Sequence, residues 1–346
     1  MMHIVRRVAA AGLVVVAAGA SAAPARSRST YRECLRSHIG LSESDLSRLR
    51  RGGIVARSVS AQDSHEIGVV GIVRVSVPAE FVVSRFRDIT TYKKSDMVLQ
   101  VGPFSDPPSL ADVDRLTLEE GDINAIRSCR PGDCGVKLSR ETMARFAREV
   151  DWKQPDYRER ANALERRIVV EQLQAYISAG PAALGAYADK KDTVSLDAEF
   201  RALVARPPEI CQYMPELFAY LREYPRSTLN GVDSFFYWSK EAFGLKPVIS
   251  VTHVVIYHAR PGLTFIASKS LYSTHYMTAS LGLTILGSDE TGDSAVDIMY
   301  VNRSRSDSLD GPFAGLKRAI VGRRQREAVE KNMRIMKARL ELWRAQ

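Results

Sequence analysis

Signatures of catalysis are what this sequence has least of. Its 346 residues include only four cysteines, six histidines and three tryptophans. No cysteines form a C-x-x-C pair, which argues against a thioredoxin-like dithiol, and no C-x-x-C-H offers haem attachment. H-E-x-x-H and H-x-H are missing, so no metal site is expected. G-x-S-x-G is missing as well, because Ser280-Leu281-Gly282 lacks the first glycine. There is no P-loop and no G-x-G-x-x-G after a strand, so no cofactor is expected. Internal repeats and long low-complexity tracts are absent. The one N-terminal apolar run is shorter than the roughly 20 residues of a spanning helix.

That run has another use. "MMHIVRRVAAAGLVVVAAGASAAPARS" places Arg6 and Arg7 before a short apolar stretch from Val8 to Gly19. Ala20-Ser21-Ala22 then supplies small residues at a cleavage site, so residues 1–23 read as a signal peptide of bacterial style. The chain is expected to be exported to the periplasm. Export changes the meaning of the cysteines, since oxidising compartments favour pairing. Cys129 and Cys134 bracket Arg130-Pro131-Gly132-Asp133, and Pro-Gly is turn chemistry. A structural disulfide is the preferred reading, with a redox or metal role and two free thiols as alternatives. Cys34 and Cys211 remain as a possible second pair.

The composition, 45% hydrophobic and 26% charged, is that of a soluble globular chain. The net charge is +9. Residues 312–346 alone hold ten Lys/Arg and three Asp/Glu, so the excess sits in the last segment. An exported protein is a poor partner for nucleic acid despite this charge. An anionic membrane surface or an acidic partner is a better match.

Patterning divides the chain. Residues 24–65 form an Arg/Ser-rich lead with a possible helix at "SESDLSRLRR". "GVVGIVRVSV" alternates and is rich in Val, so it reads as a strand, and Pro78 then opens a helix carrying Phe81, Val82, Arg85 and Phe86. "DMVLQVGPFS" reads as a second strand. Residues 106–232 are mainly helical. "SRETMARFAREVDW" starts on a Ser cap, and "PDYRERANALERRIVVEQLQAYISAG" carries an apolar stripe. From residue 233, five short runs separated by turn residues read as an antiparallel meander: "SFFYWSKEA", "VISVTHVVIYHA", "LTFIASKSLYS", "HYMTASLGLTILGS" and "AVDIMYVNRSRS". A long helix closes the chain, and Phe313, Leu316, Ile320, Val329, Met333, Met336, Leu340 and Trp343 are taken as its apolar stripe. The expected class is α+β: an antiparallel sheet wrapped around the C-terminal helix, plus a mainly helical inserted region.

"GIVRVSVPAEFVVSRFRDITTY" at the front, with "HYMTASLGLTIL", "AVDIMYVNRSRSD" and "GPFAGLKRAIVGRR" at the back, resembles the START-like helix-grip superfamily, also called polyketide cyclase/SRPBCC. The resemblance covers residues 66–105 and 233–346, under half the chain, and skips the helical insertion. It implies a curved sheet gripping the long helix with an apolar cavity between them. It also implies the binding of lipids or other hydrophobic small molecules, and less often cyclase or hydrolase chemistry.

Candidate cavity residues follow. Met333 and Met336 offer an adaptable lining, against the plainer reading that they fill a closed core. Tyr237 and Glu241 could act as acid or base in an enzyme on this fold. His253 and His275 fall in the sheet; His253 and His258 are five apart and point to opposite faces. Arg303, Arg305 and Asp307 alternate to one face, either as a solvated strand end with a cross-strand ion pair or as a headgroup contact at a cavity mouth. Arg323, Arg324 and Arg326 lead a basic helix face. The expected function is hydrophobic-ligand or lipid binding without catalysis. The alternatives are an enzyme, and an envelope protein holding a partner through its insertion.

Overall fold

The computed structural model describes residues 40–59, 61, 63–205, 214–243, 246–287, 294–309 and 313–346. Ten strands occur among them: β1 (Ile54–Val59), β2 (Glu66–Val75), β3 (Val98–Pro103), β4 (Ala186–Tyr187), β5 (Val194–Ser195), β6 (Val232–Phe243), β7 (Lys246–Arg260), β8 (Leu263–Ser273), β9 (Ala279–Gly287) and β10 (Val296–Arg305). The helices are α1 (Glu43–Arg50), α2 (Ala79–Arg87), α3 (Ile89–Lys93), α4 (Glu120–Ser128), α5 (Arg140–Glu149), α6 (Tyr157–Ala179), α7 (Leu196–Ala205), α8 (Pro215–Glu223) and α9 (Ala314–Ala345).

Eight strands form one antiparallel sheet in the order β1-β2-β10-β9-β8-β7-β6-β3. The five C-terminal runs are its consecutive members, joined by short reversals. Pro261-Gly262 makes one of them, with Gly262 at φ 75°, the positive value a Pro-Gly turn requires of its glycine. Pro78 cannot continue β2 and becomes the N-cap of α2. Ser42 caps α1 in a reciprocal capping box with Asp45, and Ser139 caps α5. The segment read as a lead does more than expected, because β1 lies within it and adds an edge strand beside β2.

Helices cover both faces of the sheet. Val69, Val73, Val254, Ile256, Ile266, Leu286 and Ile298 face α2, α3 and the second half of α9. Gly71 lets the helix approach there, since a Cβ would lie 2.5 Å from Val329 and 2.6 Å from Met333. The opposite face presents Val255, Phe265, Leu283, Ile285 and Met299 to α1, α7 and α8. Farther along the same face, Trp238, Ile249, Val251 and Leu271 meet α4–α6. The inserted region thus packs as a layer on the sheet. Burial on two faces explains why β9 is buried at every residue rather than at alternate ones.

This second layer traps ionisable groups. Glu165 of α6 is fully buried; its Oε1 accepts from the Tyr272 hydroxyl at 2.9 Å, and its Oε2 has no partner among the described residues. Burial, with the nearby Asp122 adding to it, raises its carboxyl to about 7 even though the Tyr272 bond opposes the shift. Lys269 is also fully buried, donating to the Leu221 carbonyl and lying 4.0 Å from the Phe200 ring centre. Burial lowers its amine to about 7.

Two sequence expectations need correction here. The expected cross-strand ion pair is present between Arg303 of β10 and Glu66 of β2, but Arg303 and Arg305 are neither solvated nor at a cavity mouth. Both are buried, Arg303 against Glu66 and Arg305 against Glu199 and Asp63, on the sheet face turned away from α9. The single apolar stripe of α9 is really two. Helical residues advance about 100° each, which puts Phe313, Leu316 and Ile320 on the side opposite Val329, Met333 and Leu340. The second set is buried, whereas the first is 78%, 60% and 40% exposed.

Candidate functional site

A cavity of about 330 Å³ opens between the sheet, α3 and the second half of α9. That is the lower end of the volumes typical of small-molecule sites, about 300–1,000 Å³. α9 contributes Val329, Met333, Met336, Leu340 and Trp343; α2 and α3 contribute Phe86, Ile89 and Tyr92; Ile298 comes from the sheet. These residues face inward because α2 and α3 cross the sheet between β2 and β3 while α9 lies over β2 and β1. Met97 and Ile335 line the cavity yet are 48% and 39% exposed, so they mark its mouth.

The polar end is built from α3 and the inner face of β6. Alternation along β6 turns Tyr237, Ser239 and Glu241 to this face and Trp238 and Lys240 to the other. Lys93 Nζ lies 2.8 Å from Glu241 Oε1, 3.5 Å from the Tyr237 hydroxyl and 5.2 Å from the Tyr237 ring centre. Ser239 donates to the same Glu241 oxygen at 2.7 Å. The two charged side chains keep 20% and 28% of their surface, and both line the cavity.

Burial opposes charge on both groups, and each charge rescues the other. The Lys93 ammonium, with hydrogen bonds from Lys93 and Ser239, holds the Glu241 carboxyl below its usual range. Glu241 and the Tyr237 hydroxyl likewise hold the Lys93 amine above its usual range. Burial also raises the Tyr92 and Tyr300 hydroxyls to about 12, so both remain neutral hydrogen-bonding groups. Tyr92 donates to Met336 Sδ at 3.2 Å. Arg339, on the wall, donates to the Tyr92 carbonyl at 3.0 Å and lies over the Trp343 ring.

Of the six cavity candidates named from sequence, Tyr237, Glu241, Met333 and Met336 come together in this lining. His253 and His275 do not, and that expectation is corrected. The odd-numbered positions of central β7 face the inserted helices, so His253 is buried against Tyr176, whose hydroxyl lies 3.0 Å from its Nδ1. Burial and the nearby Lys269 push its imidazole well below the ordinary value, so it is neutral. His275 follows β8 and pairs with Asp122 of α4 at 3.0 Å. Sequence reasoning missed Lys93, Tyr92, Tyr300 and Arg339. The course of α3 brings in Lys93 and Tyr92, the inward register of β10 brings in Tyr300, and the placement of α9 brings in Arg339.

Cys129 and Cys134 form a disulfide, which fits an oxidising, exported compartment. Cys34, Cys211 and the proposed signal peptide lie outside the described residues. Among the described residues, no group of His, Cys, Asp and Glu could hold a metal ion. No described helix is long and apolar enough to cross a membrane. No family model, curated protein or solved structure matches the chain.

Proposed function

We propose that this is an exported, START-like binder of a hydrophobic ligand, and that the ligand is an uncharged amphiphile. The cavity carries the reading: a long apolar wall that ends at one internally compensated ion pair, Lys93–Glu241. An apolar body fits against Met333, Met336, Leu340 and Ile298. A hydroxyl or amide head can donate to Glu241 and accept from Lys93 or Tyr237, leaving the pair's charge balance intact. A charged head would upset that balance in a partly dry site, where an unpaired charge is costly. Arg339 on the α9 wall keeps its positive charge, because the Tyr92 carbonyl and the Trp343 ring it contacts are neutral, and a carboxylate of matched chain length tests whether it takes an anionic head instead. The strand order β2-β10-β9-β8-β7-β6-β3 about one long C-terminal helix supports the START-like reading.

The enzyme alternative draws less support. A general acid or base works best with its pKa near the operating pH, and here the tuning runs the other way. Glu241 is held low and Lys93 high, so each is locked in its charged form. The test is displacement of a fluorescent apolar probe by alcohol, amide and carboxylate of matched chain length. Alcohol and amide should displace it at concentrations at least tenfold below the carboxylate. Glu241→Gln should shrink that preference by leaving Lys93 uncompensated. A probe that never binds would end the ligand-binding reading. A carboxylate that competes equally would end only the head-group assignment.

A further inference from the structure

Residues 313–328 of the chain include no buried residue, although α9 runs unbroken from Ala314 to Ala345. The exposed large apolar side chains are Phe313 at its N-cap and Leu316, Ile320, Ile335 and Leu342 within it, at 78%, 60%, 40%, 39% and 59% exposure. With about 100° per residue, all five fall within one arc of roughly 100°. That arc lies opposite Val329, Met333 and Leu340, which grip the sheet. The helix is therefore apolar along two faces, and only one has a partner among the described residues. Arg324 and Lys331 lie inside the outer arc, Arg334 is at its edge, and Arg323 borders it, 3.8 Å from Glu327, the one acid within the arc. The first half of the helix is held from behind, where Arg318 donates to the Ser64 carbonyl at 3.1 Å.

Charge selects the occupant. Residues 313–328 carry five basic groups and one acidic group. The chain's own residues 24–39 hold four arginines and one glutamate, the same sign, and so do not complement this face. A second copy docked by two-fold symmetry would set the basic stripe against itself. A surface with negative headgroups above an apolar interior complements both features, and helices lie in such interfaces with the apolar side sunk about 5–10 Å.

We propose that the outer face of α9 docks on an anionic phospholipid bilayer. Phe313, Leu316, Ile320 and Leu342 enter the headgroup–acyl boundary, and Arg323, Arg324 and Lys331 meet the lipid phosphates. Ile335 belongs to both this face and the cavity mouth, so docking would bring the mouth to the lipid. That consequence rests on the ligand-binding reading; the docking itself does not.

The mature chain is tested by co-sedimentation with phosphatidylcholine vesicles, alone or with a third phosphatidylglycerol. Binding is expected only with the anionic lipid and should fall steeply between low and physiological salt as charges are screened. Leu316→Gln/Ile320→Gln and Arg323→Gln/Arg324→Gln should each lower partitioning at least tenfold; these side chains are exposed, so the fold should survive. Phe313→Trp should shift its emission to the blue with anionic vesicles only. The proposal is overturned if the parent ignores anionic vesicles, binds neutral ones equally, or loses nothing in either double variant. A concentration-dependent dimer abolished by Leu316→Gln/Ile320→Gln would instead make this face an interface between copies.

Discussion

Replacing Glu165 with glutamine tests how tightly the inserted layer seals against the sheet. In the folded chain the carboxyl rises from its ordinary 4.5 to about 7, mainly through burial. Between those two pH values the folded state keeps a proton that the unfolded state has lost. The folded state is therefore progressively disfavoured as pH rises through the window, by roughly 1.4 kcal/mol per pH unit. Above pH 7 the penalty is complete and constant, on the order of 3 kcal/mol; below 4.5 it is absent. Glutamine keeps an oxygen for the Tyr272 hydroxyl and never ionises. Urea unfolding of both proteins from pH 4.5 to 8.5 should show the variant gaining on the parent as pH rises, by about 3 kcal/mol in all, with the gain ending near pH 7. Groups common to both proteins cancel in the difference. A difference that stays flat within about 0.5 kcal/mol across that range would refute the reasoning, since it would mean that water reaches the carboxylate.

Lys269 gives the opposite sign. Its amine is lowered to about 7, so the parent should gain stability from pH 7 toward 10, and the advantage of Lys269→Met should shrink over the same span in urea titrations. Glu241→Leu leaves the Lys93 ammonium without its partner and should cost about 2–3 kcal/mol in denaturant unfolding, most of it recovered by adding Lys93→Met. Cys129→Ser/Cys134→Ser opens a short loop and should cost only about 2 kcal/mol in thermal or denaturant unfolding, with the sheet intact by circular dichroism.

Much of the architecture was legible because its signals are local. The five C-terminal strands announce themselves by Val/Ile-rich runs cut by turn residues, and α5 and α6 by Ser139 and a long apolar stripe. The strand β1 was missed because "IVARSV" is short and follows a polar stretch; only its pairing with β2 defines it. The stripe of α9 was misjudged because Phe313, Leu316 and Ile320 keep helical spacing among themselves but are out of phase with Val329, Met333 and Leu340. At the site, Tyr237 and Glu241 were named only as a possible acid or base, with nothing local to single them out; alternation along β6 puts both on one face, but only the packing of α3 shows that this face meets the cavity. Lys93 could not be found, since its pairing with Glu241 depends on how α3 crosses the sheet. His253 and His275 failed for a related reason. Being in the sheet does not say which of two buried faces a side chain joins, and helices here cover both.

The central claim is that the cavity beside α9 holds a hydrophobic ligand. Native mass spectrometry of the protein purified from an exporting host, followed by organic extraction of whatever it carries, tests this most directly. The account predicts a bound, extractable, uncharged amphiphile at one per chain, absent from Met336→Trp, whose larger side chain should fill the lining. A parent protein that carries no ligand and takes none up from an added lipid mixture would contradict it, as would a ligand retained unchanged by Met336→Trp.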